Sequence, residues 1–115
     1  MFHLNSINSS KPQLLKLPSE TKLPLNTSIP LSCVAISGLK PLKFEWFKNN
    51  EKINIFESSL NPRIVITEFD SYSVLSLKNI FLKDSGKYSC LATNSDGSDS
   101  TLTILQVQGL FSFLF

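Results

Sequence analysis

Alternation of apolar and polar residues dominates the middle of this chain and predicts a series of half-buried β-strands. Within each predicted strand the apolar or small residues share one parity and would face inward. These inward sets are Ile29, Leu31, Cys33 and Ala35; Leu42, Phe44 and Trp46; Ile64 and Ile66; Leu75 and Leu77; and Tyr88, Cys90 and Ala92. The pattern therefore predicts an all-β fold with little helix.

The two ends of the pattern are less regular. A first strand is expected to be split near Pro18, since proline is tolerated only at strand edges. In the last strand one parity would face inward, as Thr101, Thr103, Leu105 and Val107. That choice leaves Leu102 and Ile104 on the opposite face unless a bulge shifts the register. Between the ends, residues 48–51 predict a hairpin turn containing asparagines.

Two cysteines with a tryptophan between them form the most specific motif. Cys33 and Cys90 are 57 positions apart, Trp46 lies between them, and Tyr88 lies two residues before the second cysteine. Together with residues 33–38, 44–49, 73–77, 84–90 and 92–94, this motif resembles an I-set immunoglobulin domain.

The resemblance implies a two-sheet antiparallel sandwich closed by one inter-sheet disulfide between Cys33 and Cys90, with Trp46 packed against it. Tyr88 would close a corner next to the second cysteine, and Leu75 would belong to the core. The resemblance also implies a structural salt bridge between Arg63 and Asp84. Arg63 would lie at the start of one strand, and Asp84 in the turn before the strand of Cys90.

Length and composition fit a single globular domain. The chain has 115 residues, of which 42% are hydrophobic and 17% charged. We expect a disordered leader at 1–10, the immunoglobulin-like domain at 11–108 and an apolar tail at 109–115, which is too short to cross a bilayer. The formal charge of +2 and the scattered lysines do not favour binding to nucleic acid.

The sequence offers no constellation for catalysis or for a cofactor. His3 is the single histidine, so a Ser–His–Asp or Cys–His arrangement has no base. Two cysteines with a structural task do not supply four zinc ligands, and residues 96–99 lack the remaining ligands of a calcium loop. We therefore expect no enzyme activity, no metal and no cofactor.

Within the immunoglobulin family, residues 36–50 and 72–77 are similar to domains of Down syndrome cell adhesion molecules. That resemblance implies a cell-surface module that binds a copy of itself weakly, in neuronal adhesion or axon guidance. The alternatives are an intracellular muscle or scaffold domain with reduced cysteines, or a secreted immune receptor that binds pathogen surfaces. An outward Phe47 among Lys43, Glu45 and Lys87 is the predicted contact surface.

The cysteines and two glycosylation sequons favour the extracellular interpretation. Asn8 and Asn26 each begin an Asn-X-Ser/Thr tripeptide, and glycosylation at either site would require the secretory pathway. No signal peptide or membrane-spanning segment is visible in the sequence, so attachment to a membrane would use an anchor outside this chain.

Overall fold

The computed structural model describes residues 10–54 and 63–109, and they form a two-layered β-sandwich. The strands in chain order are β1 (Gln13–Leu14), β2 (Glu20–Pro24), β3 (Ile29–Ser37), β4 (Lys43–Lys48), β5 (Glu51–Lys52), β6 (Ile64–Glu68), β7 (Tyr72–Leu77), β8 (Gly86–Asn94) and β9 (Gly97–Gln108). One 3₁₀ turn, Leu82–Asp84, precedes β8. The predicted all-β sandwich is confirmed.

The strands are divided between a four-stranded sheet, in the order β1-β3-β7-β6, and a five-stranded sheet, in the order β2-β9-β8-β4-β5. All pairs are antiparallel except one, because β2 runs parallel to β9. The predicted antiparallel sandwich therefore contains one parallel pair, at the edge of the five-stranded sheet. The chain passes from one sheet to the other between β1 and β2 without reversing direction, and this brings β2 alongside β9 in parallel.

Side chains of β9 hold the N-terminal segment where it crosses between the sheets. The Leu14 amide donates to Asp99 Oδ2 at 2.8 Å, and the Leu17 amide donates to Thr101 Oγ1 at the same distance. Thr21 and Thr103 share a hydroxyl hydrogen bond of 2.9 Å. Backbone amides that have no partner strand at the crossing therefore donate to side chains, because a buried amide needs a hydrogen-bond acceptor.

Alternation along the strands places the core between the two sheets. Its fully buried members include Leu75, Leu77, Ile80 and Leu105, each with 1% exposure or less. The β8–β9 register runs unbroken from Gly86 to Asn94, so no bulge rearranges the last strand. Its threonines 101 and 103 therefore face the core, while Leu102 and Ile104 face solvent.

The expected leader and tail lie almost entirely outside the described residues, since residues 1–9 and 110–115 are not described. Ser10, the last residue assigned to the leader, is attached to the domain. Its carbonyl accepts hydrogen bonds from the Leu39 amide at 2.8 Å and from Asn94 Nδ2 at 2.6 Å. Within the described residues, no helix has the length and apolarity needed to span a membrane.

Candidate functional site

The disulfide joins the two sheets at the centre of the core. Cys33 on β3 and Cys90 on β8 are bonded, with their Cα atoms 6.3 Å apart, and both are fully buried. Trp46 is the cross-strand neighbour of Cys90 and is 1% exposed. The position of the bridge and of the tryptophan follows from the inward parity of all three strands.

A buried serine completes this centre, and the sequence pattern did not single it out. Trp46 Nε1 donates to Ser73 Oγ at 2.9 Å, and Ser73 has no exposed surface. The bond runs from β4 in one sheet to β7 in the other, so it supplements the disulfide as a link between layers. Ser73 shares the inward parity of Leu75 and Leu77, which is the signal in the sequence that could have identified it.

Arg63 and Asp84 form an ion pair at the 3₁₀ turn before β8. The guanidinium makes two hydrogen bonds to the carboxylate, of 3.0 and 3.2 Å, and the Asp84 side chain is only 7% exposed. The Phe81 amide donates to Asp84 Oδ2 at 2.9 Å. Burial alone would raise the pKa of the Asp84 carboxyl, but the hydrogen bonds from Arg63 and Phe81 outweigh it, and the pKa is lowered.

Tyr88 closes the corner between the 3₁₀ turn and β8. Its hydroxyl donates to the backbone carbonyl of Asp84 at 2.6 Å, and its ring is buried. Burial raises the pKa of the Tyr88 hydroxyl, and the nearby Asp84 carboxylate raises it further. The phenol therefore stays protonated and keeps its hydrogen bond over the physiological pH range.

Phe47 lies on the outer face of the five-stranded sheet, in the orientation expected from its parity. Its cross-strand neighbours are Lys52 and Ser89, and its side chain is half-buried. Glu45 on the same face contacts two lysines, at 3.1 Å from Lys52 and 3.9 Å from Lys43. The predicted contact surface is therefore a partly covered aromatic ring among paired charges.

Of the two sequons, Asn8 lies outside the described residues, and Asn26 lies in the turn between β2 and β3. Asn26 is exposed and has a φ of 68°, which asparagine tolerates better than most residues. The backbone amide of Asn26 donates to the Ile80 carbonyl, and the Thr27 hydroxyl donates to the Pro24 carbonyl at 2.8 Å. The Asn26 side chain is thus presented to solvent from a firmly held turn.

The described residues bring together no constellation for catalysis. They contain no group of three or more His, Cys, Asp or Glu side chains that could hold a metal ion. A cavity of about 190 Å³ beside Trp46 is lined by apolar residues such as Ile53 and Ile66 and by lysine and glutamate residues. What the geometry offers is a rigid sandwich with two sheet faces available for contact.

Comparison with known proteins agrees with this architecture. The immunoglobulin domain family matches residues 11–94, which contain the disulfide, the tryptophan and the corner tyrosine. The chain belongs to the immunoglobulin domain family. Immunoglobulin domains are generally non-catalytic.

The sequence relatives include both adhesion and muscle proteins. The chain is 34% identical to neural cell adhesion molecule 1 of Gallus gallus, over 86% of this chain and 9% of that protein. It is 35% identical to the muscle M-line assembly protein unc-89 of Caenorhabditis elegans, over 65% of this chain and 1% of that protein. The immunoglobulin domain therefore spans less than a tenth of the length of these two relatives.

Solved structures resemble the chain equally well in both groups. A three-domain titin fragment, an E-to-A variant, superposes with a TM-score of 0.73 at 25% identity, covering 85% of this chain and 33% of the fragment. The Ig7 domain of Dscam1, isoform 5, also gives a TM-score of 0.73, at 21% identity, covering 84% of this chain and 96% of that domain. The Dscam1 likeness shows the fold alone, so the resemblance to Down syndrome cell adhesion molecules stays a hypothesis.

Proposed function

We propose that this chain is an extracellular module of a cell-adhesion receptor that recognises a second copy of itself through weak contacts. The observation that carries the proposal is the 34% identity to a neural cell adhesion molecule over 86% of the chain. The sidekick-1 protein of Gallus gallus is similar over 88% of the chain, at 30% identity. Alignments of this length in a chain of 115 residues must include Cys33, Trp46 and Cys90.

Two features of the chain support an extracellular location. The Cys33–Cys90 disulfide is of a kind that persists in oxidising compartments and is rare in the cytosol. Asn26 heads a sequon in a turn and is exposed, as a glycan acceptor must be. We assign residues 11–108 to the folded domain and expect any membrane anchor to lie outside this chain.

An intracellular muscle or scaffold domain is the second candidate. Its support is the 35% identity to the muscle M-line assembly protein, which covers 65% of the chain. In such a domain the cysteines would remain reduced and would pack as small apolar side chains. A secreted immune receptor would share the oxidised cysteines of the first candidate but would not bind a copy of itself.

The compartment is tested on protein isolated from its native source with free thiols blocked during lysis. We expect a mass that corresponds to an oxidised Cys33–Cys90 pair and that rises by two alkylated thiols after reduction. Glycosidase treatment should lower the mass of the peptide that contains Asn26, and an Asn26→Gln variant should lack that shift. Reduced cysteines together with an unmodified Asn26 would favour the muscle or scaffold candidate.

Self-recognition is tested on the 115-residue chain in solution and on beads. We expect a monomer at micromolar concentration in sedimentation, because a contact through one sheet face is small. Beads that carry many copies should nevertheless aggregate, since multivalency multiplies weak contacts. Absence of bead aggregation at every surface density would overturn the homophilic proposal, whereas a tight dimer in solution would overturn the claim of weakness.

A further inference from the structure

The outward positions on the three long strands of the four-stranded sheet carry no charged side chain. These positions alternate with the core residues already described. They are Pro30, Ser32, Val34 and Ile36 on β3, Val65 and Thr67 on β6, and Tyr72, Val74 and Ser76 on β7. None of these nine side chains in the described strands is ionisable near neutral pH. An exposed sheet face normally carries polar and charged residues, so this composition needs a reason.

The apolar side chains on this face are contiguous at one end. Tyr72 is the cross-strand neighbour of Val34, and its ring stacks on Phe69 with the centroids 4.4 Å apart. The Leu15 amide donates to the Val34 carbonyl, which places Leu15 at the other side of Val34. Ile36 follows Val34 at the same parity on β3. We call these five residues the outer apolar patch.

The large side chains of this patch are well exposed. Leu15, Ile36 and Phe69 are 57%, 56% and 48% exposed, and Tyr72 is 36% exposed. Side chains of this size, about half exposed, present on the order of 400 Å² of apolar surface. Contiguous patches of that size on soluble domains commonly mark interaction sites.

The outer face of the five-stranded sheet is a weaker candidate for the same role. Phe47 is half-buried there, and the surrounding positions include Lys43, Glu45 and Lys87. Leu102 and Ile104 are exposed on that face at 44% and 41%, but Ile104 lies directly beside Lys87. Bringing two such faces together would require the lysines and Glu45 to lose water, at a cost that is rarely recovered.

We propose that the outer apolar patch is where a second copy of this chain docks, about a two-fold axis. The inference rests on the proposed self-recognition and names its surface. A surface without charged side chains does not attract an acidic or a basic partner. Two copies of that surface can come into contact without repulsion between like charges. Its Tyr72–Phe69 pair supplies the aromatic surface that is enriched at contact sites. About 400 Å² per copy is half of what a standard stable interface buries, in line with a weak contact.

Two matched substitutions distinguish the faces on beads. Ile36→Lys places a charge in the outer apolar patch, and Leu102→Lys places the same charge at an outward, similarly exposed position of the five-stranded sheet. We expect Ile36→Lys to raise the surface density needed for aggregation at least tenfold and Leu102→Lys to change it less than twofold. If both variants and the unchanged chain have equal thermal unfolding midpoints, the charge weakens the contact between copies and not the stability of the fold.

Solution NMR of the 115-residue chain separates failure of the surface from failure of self-adhesion. Between micromolar and millimolar concentration, we expect amide shifts to change at Ile36, Tyr72 and Phe69 and to stay constant at Leu102 and Ile104. Aggregation lost only in Leu102→Lys would overturn the patch and leave self-adhesion intact. Shifts confined to the patch without any bead aggregation would keep the surface and overturn adhesion. Constant shifts throughout the chain would overturn the patch as a docking site for a copy.

Discussion

A single buried hydroxyl links the two sheets beside the disulfide. Ser73→Ala would leave Trp46 Nε1 buried without an acceptor, so we expect the free energy of unfolding to fall by about 1–3 kcal/mol. Ser76→Ala, an outward position on the same strand, is the matched control and should change it by less than about 0.5 kcal/mol. Urea denaturation measures both. Equal effects of the two variants would mean that the indole bond contributes nothing.

The ring of Trp46 contributes through its volume as well as through this bond. Trp46→Ala should lower the free energy of unfolding by about 3–5 kcal/mol, because the neighbouring sheets cannot close over the cavity. Phe47→Ala, one residue along and half-buried, should cost less. An unchanged denaturation midpoint in Trp46→Ala would contradict its place in the core.

Asp84 should make the stability of the domain sensitive to acid. Its folded-state pKa is lower than that of an unfolded aspartate, about 3.9, so its stabilising contribution is complete above that pH. The contribution is lost as the pH falls through the folded-state pKa, because protonation removes the pair with Arg63. Urea denaturation from pH 6 to pH 2.5 should therefore show a smaller acid-dependent loss in Asp84→Asn than in the unchanged chain. Parallel pH profiles would exclude this role.

The turn between β4 and β5 uses two asparagines in left-handed backbone conformations. Asn49 and Asn50 have φ angles of 51° and 70°, and Asn49 Oδ1 accepts a hydrogen bond from the Lys87 amide at 2.9 Å. Hairpin turns with positive φ at both central positions favour asparagine followed by glycine. We expect Asn50→Gly to be neutral or to stabilise the fold by up to about 1 kcal/mol, since it removes steric strain.

The preceding asparagine should behave differently. Asn49→Gly keeps the backbone conformation but deletes the acceptor of the Lys87 amide, so we expect it to destabilise the fold by about 1 kcal/mol. Thermal unfolding of the two single variants tests the asymmetry. Equal shifts in the unfolding temperature would indicate that the side-chain bond is unimportant.

The strands were predictable because a strand has only two faces. Parity assigned Leu75, Trp46 and Cys90 to the core from the sequence. In the last strand it left the register open, and the structure places Thr101 and Thr103 in the core. Parity did not predict the parallel pairing of β2, because the partner of an edge strand depends on where the chain crosses between layers. It also did not reveal the outer apolar patch, because parity within one strand does not show that Leu15 and Phe69 lie beside Val34 and Tyr72.

At the scale of the whole molecule, one covalent bond closes a large part of the chain. The Cys33–Cys90 bridge spans 57 positions, and a loop of this length should stabilise the fold by about 4 kcal/mol in the chain-entropy model. A Cys33→Ala, Cys90→Ala double variant should lose an amount of that order in urea denaturation. A loss below about 1 kcal/mol would mean that the sandwich folds nearly as well reduced, as a muscle or scaffold domain must.

The sequence indicated the family of the whole molecule more readily than its partner. The cysteines, Trp46 and Tyr88 serve the core of the fold, which is the same whatever partner the domain binds. A contact surface consists of outward residues, whose type is not constrained by the core. Their positions become informative only when the structure brings Leu15, Val34 and Tyr72 side by side from three separate segments.

The crossing of the N-terminal segment has a further consequence for proteolysis and misassembly. Residues 13–24 contain β1 and β2. Strand β1 pairs with one edge of β3, and β2 pairs with one edge of the 12-residue strand β9. Unpaired strand backbones readily recruit strands from other molecules. A protease that cut between Leu15 and Ser19 would release β1, and loss of the whole segment would uncover both strands at once. A shortened chain that begins after Leu25 would therefore tend to exchange strands and form fibrils or swapped dimers, although every residue of the disulfide centre would still be present.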